Sequence, residues 1–209
     1  MIEDIDVSIN GHVKIWDPYT GEVFVQQHNA VNQEVLSSLI ANLLVSSDRR
    51  FIAEMHFGNG GIIVDETGNI TYKDVEINLE TGFAAGLFSP TYFKVVDTVD
   101  SEYNDDVTKN NAEVSHTQGL TYSDVIVTCT LDADQPNSSD VGNLIDLSQN
   151  ATDTGSLSGS FVFNELGLKS KGLTGLNTGY LLSHIVFHPV EKAANRTIQI
   201  VYTLRIRIS

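Results

Sequence analysis

Residues 197–209 read Thr197-Ile198-Gln199-Ile200-Val201-Tyr202-Thr203-Leu204-Arg205-Ile206-Arg207-Ile208-Ser209, and this stretch decides the fold. Successive side chains of an extended strand point to opposite faces. Ile198, Ile200, Tyr202, Leu204, Ile206 and Ile208 therefore share one face, against Gln199, Val201, Thr203, Arg205 and Arg207 on the other. A helical period would scatter these apolar residues around the axis.

Outward from it, the same two-residue rhythm recurs. Residues 181–190 and 159–166 read as strands, as do 124–131, 91–96, 70–72 and 52–57. At the N-terminus, residues 11–26 form an expected hairpin. His12 to Trp16 alternates, Asp17-Pro18-Tyr19-Thr20-Gly21 carries turn residues, and Glu22 to Val25 returns. One segment departs from the rhythm. Val35, Leu36, Leu39, Ile40 and Leu43 recur at helical spacing, with Asn29 or Asn32 placed to cap the start and Ser46-Ser47-Asp48 to end it. Residues 74–90 show no clear period. The expectation is a mainly β chain forming a single domain over residues 1–209. Its architecture is a β-sandwich or flattened barrel with one packed α-helix near residues 32–46.

Two polar stretches interrupt the strands. Residues 97–112 are acidic and read as an exposed loop; residues 132–158 are rich in Asp, Asn, Ser, Thr and Gly and read as a long surface excursion that a partner would order. Residues 97–153 hold twelve acids and one base, whereas 169–209 hold six bases and one acid. A solvated acidic face is one reading of that asymmetry. Complementary docking between neighbouring subunits is the other.

Composition narrows the function classes. The chain has 209 residues, 41% of them hydrophobic, and a formal net charge of −15. Nucleic acid needs clustered Lys and Arg to neutralise phosphates, so it is not an expected partner. No apolar run approaches the roughly 20 residues of a membrane span, and Glu3, Asp4 and Asp6 stand where a signal peptide carries positive charge. No membrane partner is therefore expected, and synthesis is expected in the cytoplasm. The single cysteine, Cys129, sits in an alternating apolar run and reads as a small buried hydrophobe.

No pattern nominates a catalytic group, a metal or a cofactor. His184 and His188 are four apart, but along a strand that is roughly 13 Å, too far for one ion. Gly58-Asn59-Gly60-Gly61 is followed by Ile62-Ile63-Val64, lacking the Lys and Ser/Thr of a phosphate loop. It reads as a tight bend whose glycines permit positive φ and close backbone approach. Asp132, Asp134 and Asp140 lack the Gly and closing Glu of a calcium loop.

Several segments, taken in order, resemble a known group. They are Gly11-His12-Val13-Lys14-Ile15-Trp16-Asp17, Gly21-Glu22-Val23-Phe24-Val25, Phe57-Gly58-Asn59-Gly60-Gly61, Phe163-Asn164-Glu165-Leu166-Gly167-Leu168 and His184-Ile185-Val186-Phe187-His188-Pro189-Val190. Together they resemble the virion structural proteins of tailed bacteriophages. A weaker likeness, over about two-thirds of the chain, is to the domain that docks phage tail fibres. There the segment matched by Glu165 and Gly167 is a strand ending in a bend, and a later strand ends at a motif matched by Phe187-His188-Pro189.

The resemblance implies a non-enzymatic, oligomeric subunit at the neck, collar, tail or baseplate, docking other virion proteins and copies of itself. A capsid decoration protein is the alternative within that class, and a carbohydrate-binding β-sandwich the alternative outside it. The residues singled out for assembly or structure are Gly58, Gly60, Gly61, Glu165, Gly167, Pro189, Arg205 and Arg207.

Overall fold

A computed structural model describes residues 6–45, 51–75, 77, 82–99, 103–136 and 161–209. The chain is mainly β, with one α-helix among the described residues, and its large antiparallel sheet curls into a half-barrel. In chain order the elements are β1 (Val7–Trp16), β2 (Val23–Val31), α1 (Gln33–Leu44), β3 (Ile52–Gly58), β4 (Ile62–Val64) and β5 (Ile70–Tyr72). There follow β6 (Pro90–Val95), β7 (Asn111–Ser115), β8 (Tyr122–Leu131), β9 (Phe161–Ser170), β10 (Leu181–Lys192) and β11 (Ile198–Ile208). Nine of these strands form one sheet in the order β6-β3-β9-β10-β2-β1-β11-β8-β7, and β4 with β5 makes a small separate ribbon.

The deciding strand lies inside the sheet, between β1 and β8. β11 pairs with β1 from Val7/Ile208 to Trp16/Gln199 and with β8 from Ile198/Leu131 to Arg207/Tyr122. Ile198, Ile200, Tyr202 and Leu204 are buried; Ile206 is half-buried and Ile208 is 52% exposed. The apolar face thus runs on past the core. The core itself gathers in the concave side of the half-barrel, where Phe57, Phe161, Phe163 and Phe187 pack edge-on or stacked, with centroids 5.2–6.1 Å apart. Such ring pairs add about 0.5–1.5 kcal/mol each beyond area burial.

The helix starts where one of the two candidate caps stands. Asn32 Oδ1 accepts from Val35 N at 3.2 Å, while its amide donates to the carbonyls of Gly82 and Leu181. One side chain therefore fixes the helix, β10 and the turn at Gly82–Ala84 together. Val35, Leu36 and Leu39 face the sheet. The first hairpin is longer than residues 11–26, and its turn is held by Asp17 Oδ1, which accepts from Tyr19 N and Thr20 N.

Four expectations need correction. First, the loop at residues 97–112 is not simply exposed: Asp97 and Asn110 are buried, and Asn111 already opens β7, a strand absent from the sequence reading. Second, β9 does not bend after Leu166 but continues through Gly167 to Ser170. Third, β10 does not stop at Phe187-His188-Pro189. Between the pairs Val186/Glu165 and Val190/Phe163 the register slips, and the strand resumes to Lys192. Pro189 sits in that bulge, where the absent N–H costs no ladder bond. Fourth, among the described residues the positive-φ glycines are Gly21, Gly68, Gly119 and Gly175, not Gly58, Gly60 or Gly61. Most of the excursion at 132–158 lies outside the described residues.

Candidate functional site

Five of the singled-out residues converge on one place. Glu165 lies on the convex side of β9, fully buried, between Gly58 of β3 and Val186 of β10. Its Oε1 accepts from Gly60 N at 2.9 Å and Ser89 N at 2.8 Å, and its Oε2 from Phe88 N at 2.9 Å. His184 Nε2 lies 2.9 Å from Oε2. Against a carboxylate that only accepts, this nitrogen carries the proton. Burial works against the charge, but the His184 bond and the three backbone bonds outweigh it and hold the carboxyl below its usual range.

The glycines serve this carboxylate by having no side chain. A Cβ on Gly58 would come within 2.5 Å of both Glu165 Oε1 and the Ser89 carbonyl; one on Gly60 would meet Ser89 N at 2.7 Å. Gly61 donates to Asn164 Oδ1 at 2.8 Å and is packed under Val186. Gly167 stands directly between His56 of β3 and His184 of β10 in the ladder, and a Cβ there would press on Leu181 and the Ser183 carbonyl. Close approach, not backbone chirality, is what these positions demand.

A second buried pair continues the polar stripe. Glu54 and His56, two apart on β3, point to the same side, with His56 Nε2 2.7 Å from Glu54 Oε2. Glu54 Oε1 accepts from Asn177 N at 2.8 Å, and Lys169 reaches the Asn177 carbonyl and side chain. His56 stacks on Phe93 at 5.1 Å. Burial holds its pKa below the ordinary value, partly offset by the Glu54 bond. Both carboxylates thus grip backbone N–H groups of the segments laid over the convex face.

A third cluster closes one end of the seam between the sheet's two ends. Lys94 of β6, 2% exposed, donates to Asp105 Oδ2 at 2.9 Å, to the Thr130 carbonyl at 3.0 Å and to Gln135 Oε1 at 2.7 Å. Asn110 Oδ1 accepts from Thr130 N, and its amide donates to Asp105 Oδ1. The β7 ladder ends at Asn111/Thr128, so a lysine and an asparagine side chain satisfy the backbone of Thr130 where the next strand would have done so.

At its other end the seam stays open among the described residues. An almost wholly apolar trough of about 340 Å³ lies between α1 and the ends of the sheet. Leu36, Leu39 and Leu43 of α1 line it together with Ile52, Val99, Val114 of β7 and Ile206 of β11, with Ala112, Leu204 and Phe51 beside them. Leu43, Val99 and Val114 are 52%, 71% and 72% exposed. Soluble surfaces rarely gather such residues without a use for them.

Arg205 and Arg207 lie apart from the Glu165 cluster. Arg205 makes two 2.8 Å bonds to Asp124 and lies 4.1 Å over the Tyr122 ring; Arg207 is exposed. Lys109 binds Asp132, Lys94 binds Asp105, and Lys192 lies buried against the carbonyls of Ala133 and Ala193. The Arg205–Asp124 pair thus joins the basic C-terminal stretch to the acidic one within the subunit. Cys129 is buried, and desolvation pushes its thiol up to about 12, which leaves it unreactive.

Sequence reasoning found Glu165 and its glycines but missed His184 as partner, the Glu54 and His56 pair, and the Lys94 cluster. Only the pair had a usable signal: two apart on a strand means one face. No group of three or more His, Cys, Asp or Glu that could hold a metal lies among the described residues, and none of their helices is long and apolar enough to cross a membrane. No family model, curated protein or solved structure matches the chain.

Proposed function

We propose that this chain is a non-enzymatic structural subunit of a tailed-phage virion, assembling with other virion proteins and copies of itself at the neck, collar, tail or baseplate. The observation that carries this reading is the contrast between the two kinds of site. The buried ionisable groups Glu165, His184, Glu54, His56 and Lys94 each bond to backbone or to one another, so their chemistry goes into stiffness. The exposed apolar trough, by contrast, offers surface for another chain. The ordered resemblance of the sequence segments adds the setting. No cofactor enters this function.

Quantitative mass spectrometry of purified particles tests it. The chain is expected at a fixed copy number relative to the major capsid protein, retained through salt washing. A chain absent from purified particles, or removed by that wash, overturns the reading.

A further inference from the structure

The open seam has the form of a missing strand. The half-barrel ends at β6 on one side and β7 on the other. Residues Thr91 to Val96 are all buried, and the Lys94 cluster seals that side. β7 differs: among the described residues it pairs only with β8, and Glu113, Val114 and Ser115 are exposed. A strand edge bears a row of backbone donors and acceptors ready to pair with another chain. The apolar trough begins at this edge, since Ala112 and Val114 line it. A strand laid beside β7 would cover the trough while completing the ladder.

We infer that β7 and the adjoining trough accept an extended segment of a different virion protein by strand addition, with apolar side chains alternating with basic ones. This rests on the assembly role proposed above and names the partner's chemistry. Alternation follows from the pleat: side chains beside Ala112 and Val114 enter the trough, and those opposite Glu113 face outward. Charge selects the outward set. Two acids border the trough, Asp97 and, on the outward face of β7, Glu113; Lys171 lies close enough to act on Asp97, whereas Glu113 makes no ion pair among the described residues. A Lys or Arg opposite Glu113 is a favourable cross-strand pair. A second copy is the poorer occupant. Antiparallel pairing of β7 with itself about its centre sets Glu113 against Glu113, between chains of net charge −15.

The test uses the full chain and a peptide of about nine residues alternating valine and lysine, matched to strand length. Hydrogen exchange is read at the amides of Asn111–Ser115. At about ten times its Kd, the peptide slows exchange there about tenfold. Val114→Glu abolishes the effect, N-methylating alternate peptide amides abolishes it, and Glu113→Lys transfers it to the valine–glutamate peptide. No slowing at millimolar peptide overturns the inference, as does equal binding of both peptides. Protection of β7 that grows with protein concentration alone also overturns it, in favour of a second copy. Incorporation into particles is measured separately, so a chain present in virions but blind to the peptide sinks the strand-addition site and leaves the structural role standing.

Discussion

Glu165 receives three backbone N–H groups and one imidazole, with no solvent to replace any of them. Removing one partner of such a buried cluster leaves the rest uncompensated, which typically costs about 3–5 kcal/mol. Glu165→Ala should lose that much in urea denaturation, and Glu165→Gln less, because it keeps one acceptor. A loss below about 1 kcal/mol in the alanine variant would show that the loops are held otherwise. Gly60→Ala tests the same contact from the other side. Its Cβ would press on backbone at Ser89, so about 1–3 kcal/mol of overpacking is expected.

His56 makes a pH prediction of definite sign. Its folded pKa lies below the ordinary 6.5, so the unfolded chain takes up a proton that the folded one refuses. Stability from this group is complete above about 6.5 and is lost as pH falls through the window below it. Glu165, depressed from 4.5, contributes in the same sense at lower pH: present above 4.5, lost as pH falls through its folded value. Melting temperature should therefore begin to fall below about pH 6.5 in the wild type. In His56→Gln the fall should begin only near the carboxylate range. Parallel pH profiles for the two proteins would refute the assignment to His56.

At the scale of elements, β11 is the strand whose loss cannot be tolerated. It lies between β1 and β8 and contributes Ile198, Ile200, Tyr202 and Leu204 to the core. Truncation of residues 197–209 should abolish soluble folding. A soluble truncation that melts cooperatively would refute its central role. β7 lies at the opposite extreme: five residues, one partner among the described residues and an exposed valine. In the free protein its amides should exchange much faster than those of β11, because edge strands open locally at low free-energy cost. Equal protection of the two strands would mean that the edge is already covered.

At the scale of the whole molecule, the half-barrel is sealed at one end of its seam by polar side chains and, among the described residues, left open over apolar ones at the other. Lys94→Met tests the seal. The lysine makes three hydrogen bonds, and removing a charged donor from buried acceptors costs about 1.5–3 kcal/mol. Its effect should extend to faster exchange at Thr130 and along residues 103–110, read by the same hydrogen-exchange experiment. An unchanged exchange pattern would show that the loop is anchored independently of Lys94.

Strand periodicity by itself determined the class of this fold, because a pleated backbone imposes a two-residue rhythm that local sequence displays directly. Residues 198–208, 124–131 and 52–57 show it without reference to any neighbour. The helix was legible for the same local reason, with its cap narrowed to Asn29 or Asn32, and the fold chose Asn32. Glycine clustering beside β3 and the Glu165 segment signalled close packing, though not what was packed. Tertiary structure alone decided that Glu165 meets Gly60 and Ser89, that Lys94 reaches Thr130, and that Ile206 looks into an open trough. Those facts arise from how a sheet curls and where its ends fall. Curvature and seam closure are sums over all the strands, and no single stretch of the chain encodes them.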